Sequence, residues 1–299
     1  VAINEISTHF VKTFESNALH LVQQKTSKLR RTVTEKRPGP TDKHSFRVIA
    51  ARGAMTDRAN VGAVAGKRTA TPYSDTVFND RVCGSTRKGT ADSFSRAEAQ
   101  RMLEDPQSAL LASMTKQVGR TFDDVIIAAL FANALDSLGT VNAHPAASQL
   151  GGAAIAPSFA LVRQVRETAL EKEIDPDEEM FFVVSPNFVT TLLDDPKATS
   201  FDYANAKALM SGGLVQGWMG FTWITSNRLT KPVVGPPAQV YGAAYTRDAV
   251  GLLVLDDVHA EVGKDPGAWF DTSIQLECDI GAVRIQDEKV LRVHYLETN

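Results

Sequence analysis

The chain has 299 residues, enough for one large domain or two modest ones around a hydrophobic core. Its composition, 43% hydrophobic and 22% charged, is that of a globular protein, and no run approaches the roughly twenty apolar residues that span a bilayer. The two cysteines, Cys83 and Cys278, are too few for a disulfide framework and lie in no metal-ligand spacing.

The formal charge of −3 hides an asymmetry. Residues 1–100 carry 17 Lys and Arg against 9 Asp and Glu, a net of +8, and the remainder carries 15 against 26, a net of −11. A basic first third on an acidic body binds nucleic acid, lies on the acidic body of a neighbouring copy, or is simply solvated surface. VAINEISTHFVKTF lacks the basic-then-apolar pattern of a secretory signal, which points to synthesis in a reducing cytoplasm. Val1 is expected to follow a trimmed initiator methionine.

In chain order, Phe10 to Val22 form a short amphipathic pattern, good for one helix or two helical turns that need a partner surface. Pro38-Gly39-Pro40 then forbids regular structure, so residues 1–46 read as an arm. Residues 47–95 are rich in Gly, Thr, Ala and Arg, with alternation only in pieces such as Thr76-Val77-Phe78 and Arg81-Val82-Cys83. A ragged two-stranded ribbon of that kind is not stable alone, and the segment reads as an extended loop packed on another molecule.

Asp105 to Gly139 reads as one long spine helix of about thirty residues, on the order of 45 Å. Asp105 is its N-cap, Pro106 sits harmlessly in the first turn, and Gly139 supplies a left-handed stop. Leu110, Leu111, Met114, Val118, Phe122, Val125, Ile126, Ala129 and Leu130 recur three and four apart and form its core stripe. Gly119 is its one interior glycine, at a cost of about 1 kcal/mol relative to alanine.

Thr140–Ser158 reads as a small-residue loop. Phe159–Glu173 reads as a helix with Phe159, Val162, Val165 and Leu170 on one side. Met180–Val184 is a buried strand, Ser185-Pro186 opens a helix through Leu193, and a further helix surrounds Tyr203–Met210. Phe221–Ile224, Val240–Ala244 and Val250–Leu255 are strands. In the tail, the apolar parity of Phe270 to Ile280 flips at Gly281-Ala282, which calls for a bulge or a break before Val290–Leu296. The spine helix and tail strands (96–144 and 266–299) make an elongated domain, with residues 145–265 inserted as a mixed α/β domain. The fold class is α+β.

Signals of chemistry are weak. GAVAGKRT (62–69) misses a phosphate-binding loop by one spacer residue and by the intervening Arg68. Ser185 follows a strand, but V-V-S-P-N is a helix cap and not G-x-S-x-G. Asp123 and Asp124 point in different directions, and Arg120 pairs with Asp124 on a solvated face. The six histidines are scattered, and Trp218, Trp223 and Trp269 read as core or interface anchors. No catalytic, cofactor-binding or metal-binding residue is expected.

Six segments in order resemble a known family: QQKTSKLRRTV (23–33), RMLEDP (101–106), GRTFDDVIIAAL (119–130), FVVSPNFVTTLL (182–193), AVGLLV (249–254) and IGAVRIQDEKV (280–290). They are similar to the major capsid proteins of tailed bacteriophages with the Hong Kong-97-type fold. The resemblance implies an N-terminal arm, an extended loop over a neighbour, a peripheral domain with the spine helix and long strands, and an axial domain. It implies pentamers and hexamers in an icosahedral virion shell around double-stranded DNA, assembled in the host cytoplasm. Portal, scaffolding and decoration proteins are implied partners, and no membrane is.

On that reading Arg52, Arg58, Lys67, Arg68, Arg81, Arg87 and Lys88 contact the acidic body of the next subunit, in a salt-sensitive way. Some family members crosslink a loop lysine to an asparagine of a neighbour, and Lys67 would be the donor here. The other readings are the shell of a cellular nanocompartment with an enzyme cargo, and a soluble α/β enzyme with a basic nucleic-acid-binding segment.

Overall fold

The computed structural model describes residues 24, 26–39, 43–49, 78–95, 106–194, 217–233, 238–265, 267 and 269–297. The expected N-terminal helix, the helix around Tyr203–Met210 and the GAVAGKRT segment lie outside them. The strands are β1 (Thr34–Lys36), β2 (Lys43–Ile49), β3 (Phe78–Gly84), β4 (Thr86–Phe94), β5 (Ala134–Leu135), β6 (Val141–Asn142), β7 (Gln149–Gly151), β8 (Met180–Val184), β9 (Phe221–Thr225), β10 (Ala238–Thr246), β11 (Val250–Asp265), β12 (Asp271–Arg284) and β13 (Val290–Glu297). Among the described residues the α-helices are α1 (Pro106–Phe131), α2 (Phe159–Glu171) and α3 (Pro186–Leu193).

Helix α1 is 26 residues long and ends eight residues before Gly139. At its C-terminal end the Arg284 guanidinium donates to Leu130 O and Ala132 O at 3.4 and 2.8 Å. The chain then turns into the β5–β6 hairpin, where Gly139 has φ +81° and the Asp136 carboxylate accepts from the Leu138 and Thr140 amides. Gly139 is thus a hairpin residue and not a helix stop. Met114, Val118, Phe122, Ile126 and Leu130, spaced by four, are buried, with Leu110 packed at the margin. Leu111 faces solvent, one position off that stripe, and does not belong to the core.

The sheet β7-β13-β10-β8-β9 has five strands, and β8 is buried at every position; Phe188 of α3 packs on Phe182 of one face, and Tyr245, bonded to Thr32 of the arm, packs beside Phe181 on the other. Phe182 and Trp223 (4.7 Å between ring centroids) and Phe188 and Tyr295 (4.8 Å) fill its core. On α2 the buried residues are Leu161, Val162, Val165 and Ala169, while Leu170 is exposed, contrary to the expected stripe. The expected loop Thr140–Ser158 contains β6 and β7, the latter pairing in parallel with β13.

The second sheet, β1-β11-β12-β4, holds the long tail strands, and β11 continues ten residues past Leu255 to Asp265. The third, β2-β3-β5-β6, is the stem of the extended loop. One expectation changes here, that of a two-stranded ribbon within 47–95. Regular strands flank Pro38-Gly39-Pro40, and β3 pairs with β2 while β4 leaves it to pair with β12.

No break occurs in β12 at Gly281; the register with β11 runs unbroken from Val250↔Arg284 to Val254↔Ile280. The parity flips because the strand serves two cores on opposite faces. Ile274, Leu276, Cys278 and Ile280 enter the main core, and Val283 joins Phe46, Cys83, Ala134 and Leu253. The irregularities sit on the partner strand, between Val254 and Asp256 and between Asp256 and His259. A Cβ on Gly281 would lie 2.1 Å from Gly84 O, so glycine is what lets the loop stem cross.

Candidate assembly elements

The arm is rooted on the middle of α1. Residues 26–29 cross the helix above Gly119, where a Cβ would come within 3.0 Å of Ser27 N and 3.1 Å of Thr26 C. One turn on, Asp123 is wholly buried. Its carboxylate accepts from Ser27 Oγ (2.6 Å), Lys28 N (3.1 Å), Leu29 N (3.0 Å) and Gln24 Nε2. Converging amides stabilise a buried carboxylate that would otherwise be costly. Asp123 is therefore no part of a solvated face; only Asp124 is, and it pairs with Arg228 and not with Arg120.

Four further fastenings continue the strap. Lys28 Nζ donates to Thr225 O at 2.7 Å. Arg30 grips Asp257 with both Nη atoms at 2.7 Å, reaches Glu35 at 3.0 Å and lies 4.6 Å over the Phe122 ring. These bonds hold the Asp257 and Glu35 carboxyls below their usual range. The Thr32 and Tyr245 hydroxyls meet at 2.6 Å, and β1 adds in parallel to β11.

The loop is rooted at the C-terminal end of α1. Arg284, fully buried, donates to Leu130 O, Ala132 O and Asn142 O and pairs with Asp287 at 2.6 Å. The second Asp287 oxygen takes Arg81 of β3 at 2.8 Å. One carboxylate thus joins the loop stem to the cap of the helix.

Of the basic residues expected at a neighbour's surface, Arg52, Arg58, Lys67 and Arg68 lie outside the described residues. Arg81 has its charge taken up within the chain by Asp287. Arg87 and Lys88 are exposed on β4, Arg87 only 3.6 Å from Glu277. Sequence reading missed Asp123, Arg284 and Arg30. The available signal was Gly119 four residues before Asp123 in an otherwise glycine-free helix.

The signals of chemistry resolve into structure. Ser185 Oγ caps α3 by accepting from Phe188 N at 3.3 Å, while its own amide donates to the Tyr295 hydroxyl at 2.9 Å. Burial beside Arg284 and Arg292 pushes His144 down to about 4. Cys83 and Cys278 are free and buried, and burial pushes the Cys83 thiol up to about 12. Among the described residues no group of three His, Cys, Asp or Glu could hold a metal. Trp218 and Trp223 are core, whereas Trp269 is exposed at the turn between β11 and β12.

Residues 6–297 match the family model described as phage capsid protein. The chain belongs to this family. It is a structural protein of the virion capsid, a coat protein. The fold is similar to the capsid structure of cyanophage P-SCSP1u (TM-score 0.72, 15% identity, covering 97% of this chain and 94% of that one). It is also similar to the capsid of Ralstonia phage GP4 (0.71, 15%, 96% and 95%) and that of Helicobacter pylori bacteriophage KHP30 (0.71, 11%, 99% and 99%). No curated protein matches the chain in sequence. In this capsid protein the long helix is the post to which both extended pieces are tied.

Proposed function

We propose that this major capsid protein forms pentamers and hexamers that close an icosahedral head around packaged double-stranded DNA, with no residue serving catalysis. The observation that supports it best is the anchorage of arm and loop by buried polar clusters on one helix. A protein that must sit in rings of five and six needs mobile contacts on fixed roots. We divide the chain into an arm (1–46), an extended loop (47–95), a peripheral domain (96–144 and 266–299) and an axial domain (145–265). Arg52, Arg58, Lys67, Arg68, Arg87 and Lys88 contact the acidic body of the next copy, with Lys67 as the donor of any crosslink. Portal, scaffolding and decoration proteins join during assembly in the host cytoplasm.

Negative-stain electron microscopy of the purified protein, alone and with its co-expressed phage partners, tests this reading. Closed particles of tens of nanometres are expected. A monodisperse monomer or dimer in both preparations would overturn it. Particles that enclose an enzyme and exclude DNA would replace the head by a nanocompartment.

A further inference from the structure

A cleft of about 370 Å³ opens between β1, at the root of the arm, and β2, in the stem of the loop. That volume is in the range of small-molecule sites. Its floor is Phe46, whose ring lies over Gly251, within 2.6 Å of where a Cβ would stand. His44 and Val48 share the inward face of β2 with Phe46, and the His44 ring meets the Phe46 ring edge-on at 5.0 Å.

The strand registers give the cleft two unlike ends. Lys36 pairs with Leu253, which is opposite Gly281 on β12. A Cβ on Gly281 would lie 3.2 Å from the Cys83 thiol, and Cys83 is the partner of His44. Lys36 and His44 therefore stand at one end. Two residues along each strand, Thr34 and Phe46 both lie at the level of Gly251. Beyond them Thr34 Oγ1 donates to Arg247 O at 3.1 Å, and the Ile285 and Gln286 amides donate to Ala249 O. Those bonds place Asp248 and Gln286, which also line the cleft, at the opposite end.

The charges nearby are matched within the chain: Arg30 with Asp257, Arg37 with Glu35, and Arg47 with Asp80. The cleft is different. Among the described residues the Lys36 ammonium, the Asp248 carboxylate and the Gln286 side-chain amide form no ion pair or hydrogen bond, and the His44 ring contacts only Phe46.

We propose that this cleft binds a phosphorylated sugar, its phosphate on Lys36 and His44 and its hydroxyls on Asp248 and Gln286. An ammonium and an imidazole N–H supply charge-assisted donors to a phosphate. The carboxylate at the far end accepts from hydroxyls and repels a second anionic group, which orients the ligand. Duplex DNA fits poorly, because its continuous row of phosphates would meet Asp248. A ligand held there touches arm and loop at once and ties β2 to β1. The proposal stands apart from the shell reading and is tested on unassembled protein.

The test is glucose 6-phosphate added to the full-length protein at constant ionic strength, followed by thermal unfolding and hydrogen exchange. Saturable stabilisation is expected, with exchange slowed about threefold or more in β1 and β2 and unchanged in the five-stranded sheet. Lys36→Met and His44→Gln each weaken binding about tenfold, whereas Lys36→Arg retains it. Asp248→Ala weakens glucose 6-phosphate but not inorganic phosphate. The exchange map of the wild type gives a readout that needs no variant. Stabilisation reproduced by sodium chloride would overturn the proposal, as would binding that ignores Lys36→Met and His44→Gln. Inorganic phosphate binding as tightly as the sugar phosphate, or displacement of the sugar phosphate by a duplex oligonucleotide, would overturn it too.

Discussion

Gly119 and Asp123 lie one helical turn apart and act on the same four residues of the arm. The glycine leaves the space in which Thr26 and Ser27 cross, and the carboxylate receives the Lys28 and Leu29 amides. Together they make a seat and a catch.

That relation reverses the usual effect of replacing a helical glycine. Gly119→Ala in an open helix would gain about 1 kcal/mol. Here the new Cβ meets backbone at 3.0 Å, so the arm must lift, and the variant loses on the order of 1 kcal/mol instead. Asp123→Asn keeps the shape but replaces an acceptor-only carboxylate by an amide whose NH₂ faces donors, at a cost of about 2–4 kcal/mol. Thermal unfolding of the unassembled protein, with timed trypsin cleavage after Lys28, Arg30 and Arg31, checks both. Faster cleavage is expected in each variant; a stabilised Gly119→Ala with an uncut arm would contradict the seat.

The network at the far end of α1 behaves as a unit. Arg284→Met removes the cap of Leu130 and Ala132 and leaves Asp287 with Arg81 alone. Breaking a buried ionic cluster from one side costs about 3–5 kcal/mol. The loss is local first, so hydrogen exchange in β5, β6 and β3 should accelerate before the five-stranded sheet responds. Uniform acceleration across both sheets would mean that Arg284 is a general core residue and not the cap of one helix.

Much of this architecture is legible in the residues. The apolar run Met180–Val184, the Ser185-Pro186 cap and the four-residue stripe of α1 follow from periodicity and capping chemistry, which are local. Features fixed by distant partners do not read in the same way. The helix ends at Phe131, where Arg284, more than 150 residues later, donates to the Leu130 and Ala132 carbonyls. The parity flip at Gly281 marks a change of covering face and not a bulge, since the cluster that holds Val283 is assembled from five separate stretches. Asp123 looks like an ordinary helical surface acid until the arm is laid over it.

Acid should weaken the fold through His144. Burial beside Arg284 and Arg292 pushes it down from 6.5 to about 4, so the folded state resists a proton that the unfolded chain accepts. A group depressed in this way gives its full contribution above about pH 6.5, and that contribution is lost as pH falls towards 4. The magnitude is on the order of 2–3 kcal/mol. Melting temperatures between pH 7 and 4.5 should fall more steeply in the wild type than in His144→Gln. Parallel slopes would assign the acid response to other groups.

Charge reversal separates the fold of the loop stem from its use. Arg81 is half-buried against Asp287, and Arg81→Glu sets two carboxylates in one polar cluster, so the unassembled protein should melt at a lower temperature. Arg87 and Lys88 stand exposed on β4, and the 3.6 Å contact of Arg87 with Glu277 contributes no more than a few tenths of a kcal/mol. Reversing both therefore leaves the melting temperature of the protomer near wild type. If they meet the acidic body of a neighbour, the double variant assembles more slowly at low salt, and the deficit relative to wild type shrinks as ionic strength screens the lost attraction. Light scattering of assembly across a salt series measures this. Identical salt curves for wild type and double variant would remove β4 from the contact and leave its charge as solvated surface.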